Sequence, residues 1–172
     1  MGDSRMIDSI EESIYRDEGA LPMEAVNDLE LSINVHLPTP YIGFVTKHNE
    51  ARIIANCFDF YDNNRKKNSG ESIAFLNLLQ IKDDMDSLLE ISTDDPDDPD
   101  IHKFYHYFSK WLIPFGETGG GDFICFDYRN DKNTTTPPIV FWCHDAYSEE
   151  GRVSFIANNF EEFINMLHEP ED

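Results

Sequence analysis

The spacing of apolar residues changes along the chain, from a helical period to a strand period and back to a helical period at the end. Val26, Leu29 and Ile33 share one helical stripe that begins near Met23, whereas the runs between residues 52 and 156 have the short apolar pattern of strands. The predicted helices come first, the strands follow as one group, and a helix ends the chain. This order predicts an α+β domain. We expect a mainly antiparallel sheet packed against N-terminal and C-terminal helices.

A second helix is expected to start at Thr39. The Thr39 side chain can cap the N-terminus, and Pro40 takes a first-turn position where a missing N–H costs nothing. Tyr41, Phe44 and Val45 would then share one face of this helix. The two helices should supply one wall of the core.

The first residues carry a short helical pattern of their own. Ile7, Ile10 and Ile14 have helical spacing, and the pattern ends near Gly19. We therefore expect a helical extension over residues 1–22, ahead of the main domain.

Strand-like runs follow the helices. The first two could form a hairpin across a polar turn, although the second run also fits a buried helix because short apolar runs are ambiguous. The run at 139–143 is apolar on both faces and should lie in the middle of the sheet. A helix capped by Asn158 or Asn159 closes the chain. The runs are 52–58, 72–79, 123–128, 139–143 and 153–156, and the side chains expected to be buried include Phe126, Phe141, Trp142, Phe160 and Phe163.

The charge of the chain is strongly negative. Lys and Arg number 13 against 34 Asp and Glu, which gives a net charge of −21. Such a surface repels nucleic acid and attracts cationic partners. Solubility alone is the competing explanation, since many proteins are acidic for that reason.

The stretch between Lys82 and His102 concentrates this charge. It contains nine acidic side chains and neither Lys nor Arg, and two prolines interrupt it. Carboxylate repulsion and proline disfavour a helix or a central strand, so we expect an acidic loop near residues 93–101 within a single domain over residues 23–169. The aromatic residues that follow, up to Trp111, are expected on a helix that packs inward.

The chain has no sign of export or membrane insertion. Its three cysteines are far apart and form no C-x-x-C pair, so neither a disulfide framework nor a zinc site is predicted. No apolar run approaches the length of a membrane span, and no signal core follows the first residues. We expect a cytoplasmic protein without a membrane partner.

Two groups of residues invite a ligand-binding interpretation that their context does not favour. The glycines 119–121 are not followed by the Lys-Ser or Lys-Thr of a phosphate-binding loop, and acidic neighbours would repel an anion. His102 and His106 lie one helical turn apart without the Glu of H-E-x-x-H. The acidic run likewise lacks the glycine and final glutamate of a calcium loop. No metal and no cofactor is predicted.

A catalytic interpretation is also weak. Asp127, His144 and Asp145 could serve as acid, base and orienting group, but no nucleophile is placed beside them and no G-x-S-x-G is present. We therefore predict no catalytic residue.

Several sequence blocks, in order, resemble one known family. The segment L-P-T-P-Y-I-G-F-V at residues 37–45, followed by Asn49, resembles the L-P-x-x-Y-x-x-F helix of the SUKH superfamily of SMI/KNR-type proteins. Glu50 departs from the pattern, which usually has glycine after the Asn. The other blocks are Ile113-Pro114-Phe115-Gly116, Gly119-Gly120-Gly121-Asp122, Ile124-Cys125-Phe126-Asp127-Tyr128, Pro138-Ile139-Val140-Phe141 and Phe160-Glu161-Glu162-Phe163.

The resemblance implies a SUKH-like fold and a bacterial immunity protein that binds and neutralises a cognate polymorphic toxin, commonly a nuclease. Nuclease domains tend to be basic, which suits an acidic inhibitor. An intracellular regulatory or scaffold protein and an unrecognised enzyme are the alternatives. The residues predicted to contact the toxin are Asp83, Asp84, Asp86, Asp94, Asp95, Asp97, Asp98, Asp100 and Glu117, with Trp111, Tyr128 and Tyr147 as aromatic anchors.

Overall fold

A computed structural model describes residues 9–85 and 111–172. The predicted acidic loop, the aromatic run before Trp111 and the first eight residues lie outside the described residues. The strands are β1 Ile14–Arg16, β2 Arg52–Ile53, β3 Cys57–Asp62, β4 Lys67–Ser72, β5 Ala74–Phe75, β6 Leu112–Glu117, β7 Phe123–Asp127, β8 Ile139–Trp142 and β9 Val153–Ala157. The helices are α1 Met23–Ile33, α2 Thr39–Val45, the 3-10 helix Leu78–Gln80, α3 Glu149–Arg152 and α4 Phe160–Met166.

A five-stranded antiparallel sheet forms the centre of the fold. Its strands lie in the order β5, β6, β7, β8 and β9, which is also their order along the described chain. Each strand therefore pairs with the strand numbered before it and the strand numbered after it. The β8 strand pairs with β7 and β9, and all four of its residues are buried. The predicted α+β fold is therefore confirmed, including the central place of residues 139–142.

A separate hairpin of β3 and β4 lies against the outer strand β9. The Asn63 backbone N–H donates to Ser154 Oγ at 2.8 Å, and Asn63 Nδ2 donates to the Val153 carbonyl at 2.8 Å. Phe60 contacts Phe141 of the main sheet, with ring centroids 4.6 Å apart. The hairpin thus extends the apolar core beyond the edge of the sheet.

Aromatic side chains fill the space between the sheet and the helices. The rings of Phe115 and Phe126 stack with centroids 4.2 Å apart, and Tyr41 of α2 meets Phe126 edge-on at 5.0 Å. Phe160 of α4 lies 5.5 Å from Tyr41. These edge and stacked contacts add to the burial of apolar area, so one aromatic cluster joins both helices to the sheet.

The opposite face of the sheet carries a smaller buried cluster. Leu112, Cys125, Val140 and Trp142 contact one another there, and Trp142 is 2% exposed. The five side chains expected in the core are all buried, as predicted. Trp142 points away from its neighbour Phe141, because successive residues of a strand face opposite sides.

The β6 strand was not predicted as a strand. Its pairing with β7 is irregular between Pro114 and Gly116. A bulge there accommodates Pro114, which has no backbone N–H to donate to the neighbouring strand. A side chain at Gly116 would come within 2.4 Å of Ile73 Cδ1, so glycine allows the neighbouring chain to approach.

The N-terminal part differs from the prediction. Residues 9–11 are helical, but Ile14–Arg16 forms strand β1 and pairs with β2 instead of continuing the helix to Gly19. Ile10 is buried at 5% exposure, so this segment packs on the domain. Pairing with another strand outweighs the helical spacing of the isoleucines, since tertiary contacts readily override a short local pattern.

The first hairpin is also displaced from its predicted position. The partner of β3 is β4, a polar run within the stretch that was expected to be the turn, and the residues after it form only the short β5 and a 3-10 helix. The β4 residues have no apolar alternation because this strand is largely exposed.

The predicted helix caps are partly correct. Asn159 Oδ1 accepts from the Glu162 N–H at 2.9 Å and caps α4 as expected. Thr39 is the first residue of α2 and makes no capping bond, since Pro38 takes the cap position. The fixed φ of proline holds the chain at that entry.

Candidate protein-binding surface

Hydrogen bonds of Asn49 and Asn77 fix the course of the chain just before the acidic stretch. Asn49 is 2% exposed, and its Oδ1 accepts from the Leu78 N–H at 2.9 Å. Its Nδ2 donates to Asn77 Oδ1 at 3.0 Å, and the same Asn77 oxygen accepts from the Leu79 N–H at 3.0 Å. The asparagine that ends the L-P-x-x-Y-x-x-F segment therefore anchors the 3-10 helix Leu78–Gln80.

The acidic residues begin directly after this 3-10 helix, on helical residues 81–85. Asp83 is exposed, whereas Asp84 is partly buried. Burial, together with the negative charge of Asp83, raises the pKa of Asp84 above its ordinary value. The other predicted contact residues of this stretch, Asp86, Asp94, Asp95, Asp97, Asp98 and Asp100, lie outside the described residues.

Trp111 and Tyr128 lie next to each other, where β6 begins and β7 ends. The Tyr128 N–H donates to the Trp111 carbonyl at 2.8 Å. Tyr128 is 1% exposed, and its hydroxyl donates to the His36 carbonyl at 2.6 Å. Tyr128 therefore joins the sheet to the chain after α1 and is not a surface anchor, which corrects the prediction for this residue. Trp111 is half-buried, with Lys132 Nζ 5.9 Å from its ring centroid.

Glu117 and Tyr147 belong to the other end of the sheet. Glu117 is the last residue of β6 and is partly exposed, while Tyr147 is 91% exposed in the loop after β8. The Tyr147 N–H donates to Asn64 Oδ1 at 2.9 Å, which fixes the backbone but leaves the side chain in solvent. Among the described contact residues, Trp111 and Tyr128 thus lie at one end of the sheet and Glu117 and Tyr147 at the other.

A small polar group near Tyr147 has the donor atoms that a metal ion would need. Asp122, His144 and Asp145 each offer an atom within 4.8 Å of the others. These donors already bond within the protein: Asp122 Oδ1 lies 2.7 Å from His144 Nδ1, and Asp145 Oδ1 accepts from Cys143 Sγ at 3.2 Å. His144 and Asp145 are exposed, so hydrogen bonding at the surface explains this arrangement as well as metal binding does.

The Cys143 thiol is not set up as a nucleophile. Burial, followed by its hydrogen bond to Asp145, raises the pKa of Cys143 to about 12. The thiolate is the reactive form, so a raised pKa suppresses reaction. The same hydrogen bond lowers the pKa of Asp145.

Asp127, His144 and Asp145, which were considered from the sequence as a catalytic group, do not all lie together in the fold. Asp127 ends β7 and is paired with Arg129, whose Nη2 lies 2.9 Å from Asp127 Oδ2. His144 follows β8 beyond Trp142, which pairs with Phe123 at the opposite end of β7. Asp127 and His144 therefore lie at opposite ends of β7 and do not face one reacting group.

Helix α1 borders two grooves that the sequence did not predict. The first has a volume of about 410 Å³ and lies between α1 and the 3-10 helix; its lining includes Leu29 and Leu79. The second has a volume of about 510 Å³ and lies between α1 and the loop that carries Lys132. Leu31 lines the second groove and is 83% exposed. Leu31 lies outside the apolar stripe of Val26, Leu29 and Ile33, so the sequence could have indicated an exposed leucine on this helix.

Among the described residues, none of the helices combines the length and apolar character that crossing a membrane requires.

These features define an α+β domain with a five-stranded antiparallel sheet, a compact aromatic core and an acidic surface. Residues 21–166 match the SMI1 / KNR4 family (SUKH-1), and the chain belongs to that family. The chain is also similar to the SPbeta prophage-derived uncharacterized protein YokK of Bacillus subtilis (strain 168), with 24% identity over 159 residues that cover 86% of this chain and 75% of YokK. The family and the prophage relative fit immunity-type proteins generally.

Proposed function

We propose that this protein is a cytoplasmic immunity protein that binds a cognate polymorphic toxin and blocks it. The family match over residues 21–166 carries the proposal. The prophage-derived relative supports it, since both the family and this relative fit immunity-type proteins generally.

The charge of the chain indicates the chemistry of the toxin. A net charge of −21 gives a long-range field that draws in a basic protein and disfavours an acidic one. A nuclease domain is basic because it holds a polyphosphate chain. We therefore propose a basic nuclease domain as the target.

Binding, and not catalysis, is the proposed mode of action. In the described polar group, His144 and Asp145 are exposed and Asp122 is partly buried, and the nearby Cys143 thiol has a raised pKa. An active site would instead bring a nucleophile and a base together in a water-excluding pocket. The described residues are better suited to occupying the toxin's surface.

Co-expression tests the proposal directly. Where a toxin domain is encoded beside this gene, that domain is expressed in a sensitive bacterium with and without the chain, and a non-cognate toxin domain serves as the control. The chain should restore growth against the neighbouring toxin only, and the purified pair should form a complex. Growth arrest in the presence of the chain, or a complex with chromosomally encoded regulators instead, would contradict an immunity function.

A further inference from the structure

The groove between α1 and the 3-10 helix presents apolar side chains to solvent beside carboxylates. We call it the α1 groove and define it by Glu24, Ala25, Asp28, Leu29, Leu78 and Leu79. Leu79 is 58% exposed although its neighbour Leu78 is buried at 1%. An exposed leucine at the edge of a concave apolar surface is typical of a protein contact.

Both walls of the α1 groove are held in place before any partner binds. The 3-10 helix is fixed by Asn49, whose Oδ1 accepts from the Leu78 N–H at 2.9 Å. The end of α1 is fixed by Glu30, whose Oε2 lies 2.9 Å from His36 Nδ1 and whose Oε1 accepts from the Leu37 N–H at 3.3 Å. A preformed groove costs less to occupy, because fewer side chains must be ordered on binding.

The charges around the groove specify the partner. Glu24 and Asp28 line it against Lys82, and the exposed Asp83 follows directly. The α1 helix contains Glu24, Asp28 and Glu30 but neither Lys nor Arg. The local field therefore favours cationic side chains around an apolar one.

We infer that the α1 groove binds a surface segment of the protein partner in which an apolar side chain is flanked by Lys or Arg. The apolar side chain contacts Ala25, Leu29 and Leu79, and the cationic side chains meet Glu24 and Asp28. This inference rests on the proposed function and places its binding surface at α1.

Two matched variants of the full chain test the inference. The groove variant combines Glu24→Gln, Asp28→Asn and Leu79→Ser. The control variant combines Glu12→Gln, Glu171→Gln and Phe155→Ser, which removes the same charge and an equally exposed apolar side chain, 54% for Phe155 against 58% for Leu79. The probe is the purified toxin domain of the co-expression test, inactivated at its own catalytic site, and its affinity is measured by calorimetry.

The groove variant should bind the toxin domain at least about tenfold more weakly than the parent, while the control variant should bind like the parent. All replaced side chains are largely exposed, so both variants should unfold within about 5 °C of the parent's temperature. Equal affinity of the groove and control variants would overturn the α1 groove as the site and leave the immunity function standing. A parent chain that does not bind the toxin domain would overturn both.

A second variant keeps the test independent of charge. Ser32 lines the same groove and is exposed, so Ser32→Tyr should fill the groove while the fold is retained. This variant should also weaken binding at least about tenfold. Parent-like binding by Ser32→Tyr would contradict occupation of the groove by the toxin.

Discussion

Glu50 has a left-handed backbone, with φ 56°, directly after Asn49. L residues lose about 1–2 kcal/mol in this region, which is why glycine usually takes such positions. The Glu50 carboxylate recovers part of that cost, since it accepts from Asn77 Nδ2 at 3.1 Å and lies 3.6 Å from Arg52 Nη2. The departure of this residue from the family pattern thus has a local structural compensation.

Replacing Glu50 separates the backbone cost from the side-chain contacts. Both Glu50→Ala and Glu50→Gly lose the contacts to Asn77 and Arg52, but only alanine keeps the left-handed cost. Glu50→Gly should therefore be more stable than Glu50→Ala by about 1 kcal/mol in urea unfolding. At Glu24, inside α1, the order of the Ala and Gly variants should reverse. Equal stability of the two Glu50 variants would show that the backbone there is unstrained.

Trp142 has the largest side chain of the buried cluster that it forms with Leu112, Cys125 and Val140 on the face of the sheet opposite the helices. It is 2% exposed and lies 5.7 Å from Phe123, measured between ring centroids. Trp142→Ala should lower the free energy of unfolding by about 3–5 kcal/mol, because it removes a large side chain from a buried cluster. Phe155→Ala on β9 is the control, since Phe155 is 54% exposed and should change stability by less than about 1 kcal/mol. A Trp142 variant that unfolds like the parent would contradict the sheet assignment.

At the scale of elements, apolar alternation determined what the sequence could predict. The strands β7, β8 and β9 and the helix α4 have apolar inward faces, so their positions were predicted to within a residue or two. The β6 strand was missed because proline and glycine interrupt it, and β4 was missed because it is polar. Such strands are specified by their partners, and pairing cannot be deduced from one local segment.

The candidate surface was predictable only in part, for the same reason. Asp83 and Glu117 are at least partly exposed, as expected of charged residues. Tyrosine is a common anchor residue at protein interfaces, which is why Tyr128 was predicted to lie at the surface. Its burial follows from its place at the end of β7 and from its hydrogen bond to His36, which is far from it in the sequence. The α1 groove depends on two elements that are far apart in the chain, so no local pattern indicates it.

Ionisable groups tie the N-terminal segment to the turn that follows α2. Asp17 Oδ2 lies 2.8 Å from His48 Nδ1, and Asp17 Oδ1 accepts from the Gly19 N–H at 2.7 Å. The hydrogen bond from His48, followed by that from Gly19, lowers the pKa of Asp17 below its ordinary value of 3.8. Glu11 adds a contact to Lys47 at 3.4 Å.

The contribution of Asp17 should depend on pH in one direction. A carboxyl group with a lowered pKa in the folded state stabilises the fold above its unfolded pKa, and this stability is lost as the pH falls through the folded pKa. Asp17→Asn should therefore be less stable than the parent at neutral pH, and the difference should shrink as the pH falls below 3.8. Unfolding in urea across this range measures it. A difference that stays constant with pH would rule out the ionised Asp17 contact.

At the scale of the whole molecule, a net charge of −21 acts over distances greater than any single contact. Surface potentials of this kind change the association rate of a charged partner more than its dissociation rate. Salt screens them within about 10 Å at ordinary ionic strength, so their contribution can be separated from contacts by varying the salt. Solubility, the competing role of the same charge, predicts no effect on the rate of association.

Neutralising part of the acidic stretch distinguishes steering by this stretch itself from steering by the net charge alone. Asp83, Asp84, Asp94 and Asp97 are changed to Asn, and a control chain carries the same number of neutral replacements at Glu12, Glu18, Glu161 and Glu171. If the acidic stretch borders the binding site, association of the first variant with the toxin domain should be slower than that of the control, with a flatter dependence on salt, because steering is strongest from charges beside the contact. Dissociation should change less. Stopped-flow mixing measures both rates, and if the two variants share one on-rate and one salt slope, the acidic stretch steers the toxin only through net charge and does not border the binding site.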